Sequence, residues 1–297
     1  MSGKYEWATA SAPKGVQLTG VESFEGAAFA TGRRGVLVER TEPGRWDGVF
    51  TSGATGDGRG VLDLSLTDDG ERVWFSGVSG VFGYYDRRRG SVEAHPAPYD
   101  LTSDFLSVSA NGEAGDESVH TVDGSGRVLR TTVDGDEPRV EGVSIPGDGT
   151  GFTEVVDHSG VLYAADTSGF LYRSENGRTW RKERLAETTV QALSRIGVGI
   201  AAIDDGGTTY KDVSLFGERG RTKKTTPNIS SPQELEGRGD TIVAVGGGGC
   251  VLVIDEEGRA SREPVGVGKS LHAAEVMADG TIIAAGSDGT ILEGTPK

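Results

Sequence analysis

The sequence predicts an all-β fold, a seven-bladed β-propeller of four-stranded antiparallel blades, and three observations carry that prediction. The first is a phrase that recurs seven times: a small-apolar strand end, a glycine-rich turn, then another apolar strand. It reads ATGRRGVLVE from Ala30, FSGVSGVFGY from Phe75, TVDGSGRVLR from Thr121 and AADTSGFLYR from Ala164. It continues as AIDDGGTTYK from Ala202, AVGGGGCVLV from Ala244 and AAGSDGTILE from Ala284. The last turn glycines are Gly35, Gly80, Gly126, Gly169, Gly207, Gly249 and Gly289, a mean spacing of about 42 residues, which is the length of one propeller blade. The second observation is composition: 48 glycines in 297 residues fit a chain of tight turns between short strands. The third is a spare strand at one end of the chain that matches a missing strand at the other.

Each repeat resolves into strands and turns in order. In the second, Val61–Leu66 alternates apolar and polar residues, Asp69-Gly70 turns the chain, and Arg72–Ser76, Val81–Tyr85 and Ser91–His95 follow. The fourth gives Phe152–Val156, a turn at Asp157–Gly160, Val161–Ala165, a turn at Asp166–Gly169, Phe170–Arg173 and Thr179–Arg184. The seventh gives Leu271–Val276, Thr281–Ala285 and Thr290–Glu293, and lacks a fourth strand. Tyr5–Thr9 is expected to pair with Thr290–Glu293, which closes the ring and covers a sheet edge. The expected organisation is a single propeller domain over 1–297. Its blades fall near 16–50, 60–95, 104–143, 151–185, 188–226, 232–264 and 269–297, with the closing strand at 5–9. Helical periodicity is nearly absent, and the polar run Arg181–Glu187 reads as strand plus turn.

Charge and cysteine narrow the function. The lone Cys250 excludes an internal disulfide framework and reads as a small buried strand residue. The N-terminus lacks a signal-peptide core and no stretch approaches a membrane span, so a cytoplasmic location is expected. Net charge is −15, and only 8 of the 30 basic residues are lysine, a composition that suggests a salt-tolerant, halophile-like protein. An acidic surface weighs against specific nucleic-acid binding. The charge is uneven, however: from Arg173 to Lys224 there are 11 basic and 7 acidic residues.

The stretch RSENGRTW (Arg173–Trp180) resembles the Asp-box, or BNR repeat, S-x-D-x-G-x-T-W. Gly177, Thr179 and Trp180 match, Glu175 stands at the Asp position, and Ser174 is one residue out of register. The blade grammar, with Leu18–Val21 leading to Ala30–Leu37, also resembles photosystem II stability/assembly-factor-like propellers. The resemblance implies a structural hairpin between the third and fourth strands of a blade, its acidic residue capping turn amides and its Trp packing between blades. It also implies a non-catalytic assembly or docking role.

No catalytic set is expected. Sialidases share the Asp-box, but the resemblance would require an arginine triad, a Tyr–Glu pair, an acid–base Asp and a six-bladed ring. Tyr84 and Tyr85 beside Asp86 and Arg87–Arg89 point to opposite faces of one strand. His95, His120, His158 and His272 stand at no metal-ligand spacing. Asp123, Asp166, Asp204, Asp205 and Asp288 read as turn formers rather than Ca²⁺ ligands. Gly246–Gly249 lacks the helix and Lys-Ser/Thr of a phosphate loop, and Trp7, Trp46, Trp74 and Trp180 read as inter-blade packing. No metal or cofactor is expected. The longest irregular segment, Val213–Pro232, carries Phe216, Arg219, Arg221, Lys223 and Lys224, and the neighbouring blade adds Arg178, Arg181 and Lys182. These eight residues are the expected partner-binding patch. The leading expectation is a protein-interaction scaffold or assembly factor with an acidic partner. The alternatives are a virion or cell-surface adhesin that binds a host protein or glycan, and a sialidase-like glycoside hydrolase. A second docking candidate is the Arg87–Arg89 turn with the His95–Asp100 loop.

Overall fold

The computed structural model describes residues 3–10, 15–197, 199–211, 213, 223–225, 229–239 and 241–297. They form seven four-stranded antiparallel sheets arranged as the blades of a ring, numbered here 1–7 from the N-terminus. The innermost strands are Leu18–Phe24, Val61–Leu66, Phe105–Asn111, Phe152–His158, Val190–Ile196, Pro232–Arg238 and Leu271–Val276. The other strands of each blade follow outward in chain order, except in blade 7. There the outermost strand is Tyr5–Thr9, paired with Ile291–Pro296 from Tyr5↔Pro296 to Thr9↔Leu292. The ring therefore closes as the sequence predicts. Regular helix is confined to four three-residue 3₁₀ turns among the described residues, and none of their helices is long and apolar enough to cross a membrane.

The repeated glycine does two jobs. All seven turn glycines have φ between +67° and +86°, a region that a Cβ disfavours. A Cβ would also meet backbone: at Gly169 it would strike the Ala186 carbonyl, and at Gly249 the Val267 carbonyl. The turn thus lies directly against the linker to the following blade. The Gly289 amide donates to the Val16 carbonyl at 2.5 Å, which carries the same contact across the closure from blade 7 to blade 1.

Apolar residues between the sheets fill the core. Every inner strand has a one-residue irregularity after its first residue, then a buried residue at the centre: Val21, Leu64, Val108, Val155, Leu193, Leu235 and Ala274. Tryptophans tie neighbouring blades. Trp74 Nε1 donates to Glu117 at 3.0 Å, Trp46 Nε1 to Glu293 at 3.0 Å, and Trp7 Nε1 to Glu263 at 3.4 Å. Arg72 joins Glu117 at 2.9 Å, and Arg40 joins Glu293 at 2.8 Å.

Two expectations need correction. Strand ends run one to three residues beyond several of the predicted limits, as at Phe170–Ser174 and Ile291–Pro296. The segment Val213–Pro232 is not wholly irregular, because Lys223–Thr225 pairs with Thr209–Lys211 as the outer strand of blade 5. Pro232 itself begins the inner strand of blade 6.

Candidate functional site

Blades 4 and 5 carry most of the residues singled out for docking. Arg181–Arg184 is the outermost strand of blade 4, and all four of its residues are exposed. Strand pairing holds it against Phe170–Ser174, from Phe170↔Arg184 to Arg173↔Arg181. Lys182 reaches Asp148 at 3.3 Å and lies 5.2 Å from the Phe170 ring centre, over which the Arg184 guanidinium also sits, at 4.4 Å. Arg178 stands on the hairpin before this strand, 3.7 Å from Glu141 of blade 3. Lys223 and Lys224 fall on the outermost strand of blade 5. Phe216, Arg219 and Arg221 lie outside the described residues.

The hairpin that carries Arg178 is capped differently from the expectation. Ser174 Oγ accepts the Gly177 amide at 2.9 Å, and Asn176 Oδ1 accepts those of Arg178 and Thr179 at 2.8 and 2.9 Å. Glu175, expected to cap the turn, instead bonds Arg173 at 2.8 Å, and that contact holds its carboxyl below the usual range. The reason is register: Glu175 points outward on the hairpin, while its two neighbours face the turn amides. Gly177 takes φ +63°. Thr179 bonds Asn176 Nδ2 at 3.1 Å, and half-buried Trp180 donates from Nε1 to Ser144 of blade 3 at 3.2 Å.

A second cluster, absent from the sequence reading, forms where the seven inner strands meet. Two positions per strand, on either side of the buried central residue, face a central cavity of about 270 Å³. One ring of positions carries Asp63, Glu154 and Glu234, and the other carries Glu22, Glu236 and Glu275. Arg195 and Arg238 also line it. Burial pushes Glu22 and Glu236 up to about 7 and Asp63 to about 6. Burial and mutual repulsion carry Glu154 and Glu275 well above the carboxylate range.

Much of this polarity answers a backbone need. The inner strand is the free edge of each sheet, and its unpaired amides need acceptors. Glu22 accepts the Leu66 amide at 2.8 Å, Asp63 that of Val108 at 2.8 Å, and Ser65 that of Ala110 at 3.0 Å. Ser107, Ser109 and Ser194 accept the amides of Val155, Asp157 and Gly237 at 3.2, 2.8 and 3.0 Å. Each acceptor belongs to the blade before the amide it caps. The signal that would have found this cluster is the recurrence of carboxylates at the same two positions of aligned inner strands.

The remaining candidates are structural in their geometry. Asp166 Oδ1 accepts the Ser168 and Phe170 amides, each at 2.9 Å, while its Oδ2 accepts the Tyr172 hydroxyl at 2.9 Å. Asp204 does the same for Thr208 and Tyr210, and Asp123 for Ser125 and Arg127. Among the described residues no three His, Cys, Asp or Glu side chains are grouped to hold a metal. Tyr84 packs on Trp74 toward blade 3, and Tyr85 packs on Phe29 of blade 1, so the two do face opposite ways. Cys250 is buried in an apolar cluster.

No family model matches the chain, and no curated protein matches it. Solved structures do. Virginiamycin B lyase from Staphylococcus aureus superposes with a TM-score of 0.79 at 15% identity, covering 99% of this chain and 100% of that one. YCF48 from Cyanidioschyzon merolae gives 0.75 at 17%, covering 97% and 98%. The WD40 β-propeller domain of Doa1 gives 0.77 at 14%, covering 100% and 98%. At such identities the likeness establishes the seven-bladed propeller and nothing finer.

Proposed function

We propose that this protein is a non-catalytic docking scaffold and that the outer edge of blades 4 and 5 holds an acidic protein partner. The observation that carries the reading is Arg181–Arg184: four consecutive exposed residues, three of them basic, on the open edge of a sheet in a chain of net charge −15. An outermost strand presents unpaired backbone groups as well as side chains, so it can take an added strand while its cations select acidic sequence. Arg178 and Lys182 belong to this positive edge, Lys223 and Lys224 lie on the outermost strand of blade 5, and Phe216, Arg219 and Arg221 belong to the same stretch of sequence. Glu175, Gly177, Thr179 and Trp180 are read as a degenerate Asp-box hairpin. Its capped turn and its Trp180 contact to blade 3 fix the position of the basic strand that follows.

The test is charge reversal of Arg181, Lys182, Lys223 and Lys224 together, followed by affinity purification from the native host at native salt. Loss of the partners retained by the wild type, with an unchanged circular dichroism spectrum, supports the reading. Retention of every partner removes it.

One observation favours a catalytic second reading: burial raises the carboxyls of Glu22 and Glu236 to about 7 beside Arg195 in the central cavity, as suits a general acid–base pair. Turnover of a streptogramin or glycan panel that disappears in Glu236→Gln would establish it. No turnover in the wild type would dismiss it.

A further inference from the structure

The two faces of blade 3 are built from different chemistry. Toward blade 2 the junction is largely aromatic and apolar, with Trp74, Phe82 and Tyr84 packed on Val119, Leu129 and Val133, and its polar groups are paired, as in Arg72 with Glu117. Toward blade 4 the same strands present His120 and Arg130 from directly paired positions, and between the blades lies a cavity of about 440 Å³. Side chains of Asn176 and Arg178 border it from the blade 4 hairpin.

We propose that this cleft binds a small oxyanion, a carboxylate or a phosphate group, through the guanidinium groups of Arg130 and Arg178 and the imidazole of His120. The acidic and basic groups of the cleft differ in how their partners are met. The carboxylates that line the cleft are each engaged. Glu175 bonds Arg173 at 2.8 Å, Asp157 caps the Gly160 amide at 2.8 Å, and Glu141 meets Thr132 at 3.3 Å and Arg178 at 3.7 Å. Among the described residues Arg130 makes no hydrogen bond or ion pair with a carboxylate, and Glu141 attracts it only at longer range. Its Nη1 and Nη2 donate only to the carbonyls of Gly177 and Glu141, at 3.1 and 3.3 Å, which hold it in place without neutralising it. His120 is 7% exposed, and its Nδ1 has no hydrogen-bond partner.

A buried polar atom without a partner costs stability, and two guanidinium groups converging on one space repel each other. Both costs fall if an anion sits between them, because charge-assisted hydrogen bonds from guanidinium to an oxyanion are the strong ones. Titration shows the same imbalance: burial, then the nearby Arg178, pushes Arg130 down against a smaller opposite pull from Glu141, and burial, then Arg130, pushes His120 down to about 4. An anion in the cleft reverses the second effect.

The test follows His120 by long-range ¹H–¹⁵N NMR while inorganic phosphate, and separately acetate, is titrated into the whole protein. His95, His158 and His272 serve as internal controls. The expected result is a saturable shift confined to His120 and a higher His120 pKa in the complex. Arg130→Gln, checked for folding by circular dichroism, should weaken binding by about tenfold or more. Tighter phosphate than acetate would identify a phosphorylated ligand, and the reverse a carboxylate. His120 signals that neither anion moves would overturn the proposal, as would equal shifts in Arg130→Gln.

Discussion

Each blade has two edge strands, and the molecule treats them in opposite ways. At the inner edge, backbone amides of one blade are capped by Glu22, Asp63 or serine side chains of the blade before it. At the outer edge of blade 4, Arg181–Arg184 is exposed, with no strand beyond it among the described residues. In blade 7 the outermost strand is supplied from the other end of the chain. The difference teaches where polarity is a structural demand and where it is left over for binding. Acidic side chains inside the ring cap buried backbone amides, whereas the basic side chains of the outer edge make exposed contacts, such as Lys182 with Asp148 and Arg184 over Phe170, and leave charge facing solvent.

Substitutions should separate the two classes, starting with the largest effect. Glu117→Ala removes a carboxylate with 0% side-chain exposure that answers Arg72 and Trp74 of blade 2, leaving the buried Arg72 guanidinium its contacts with Asp136, Gly135 and the Tyr84 ring. Chemical denaturation should show a loss of about 3–5 kcal/mol. Asp63→Ala leaves the Val108 amide without its acceptor and should cost about 1–3 kcal/mol by the same assay. If Asp63→Ala is as harmless as an outer-edge substitution, the contrast between the edges collapses.

The pH dependence comes next. Glu22, Asp63 and Glu236 have raised values in the folded ring, so between about pH 4 and about pH 7 the native state binds more protons than the unfolded chain. Their contribution to stability therefore falls as pH rises through that window. The melting temperature should be higher at about pH 5.5 than at about pH 8, and Glu22→Gln with Glu236→Gln should flatten the difference. Smallest of all, reversal of Arg181 and Lys182 should change stability by no more than about 0.5 kcal/mol, since surface charges and their ion pairs contribute little.

How much of this was legible in the sequence follows from the physics of each feature. The turn glycines were legible because positive φ disfavours other residues at all seven positions, and backbone contact adds to it at Gly35, Gly80, Gly126, Gly169 and Gly249, so the repeat is written in one letter. Closure by Tyr5–Thr9 was legible as a strand count. The carboxylate ring was not: in VLDLSL, Asp63 reads as the polar face of an ordinary alternating strand, and only the ring brings it near Glu154 and Glu234. The hairpin caps were missed because a motif position assigned the role to Glu175, whereas register gives it to Ser174 and Asn176. His120 and Arg130 read as unremarkable strand residues ten apart, and pairing across a hairpin places them side by side.

The most direct test of the docking account is a parallel purification of three proteins from the native host at native salt. They are the wild type, the outer-edge reversal at Arg181, Lys182, Lys223 and Lys224, and the channel variant Glu22→Gln with Glu236→Gln. The account predicts that the channel variant keeps the wild-type partners and the outer-edge variant loses them. Loss in the channel variant with retention at the outer edge would contradict it.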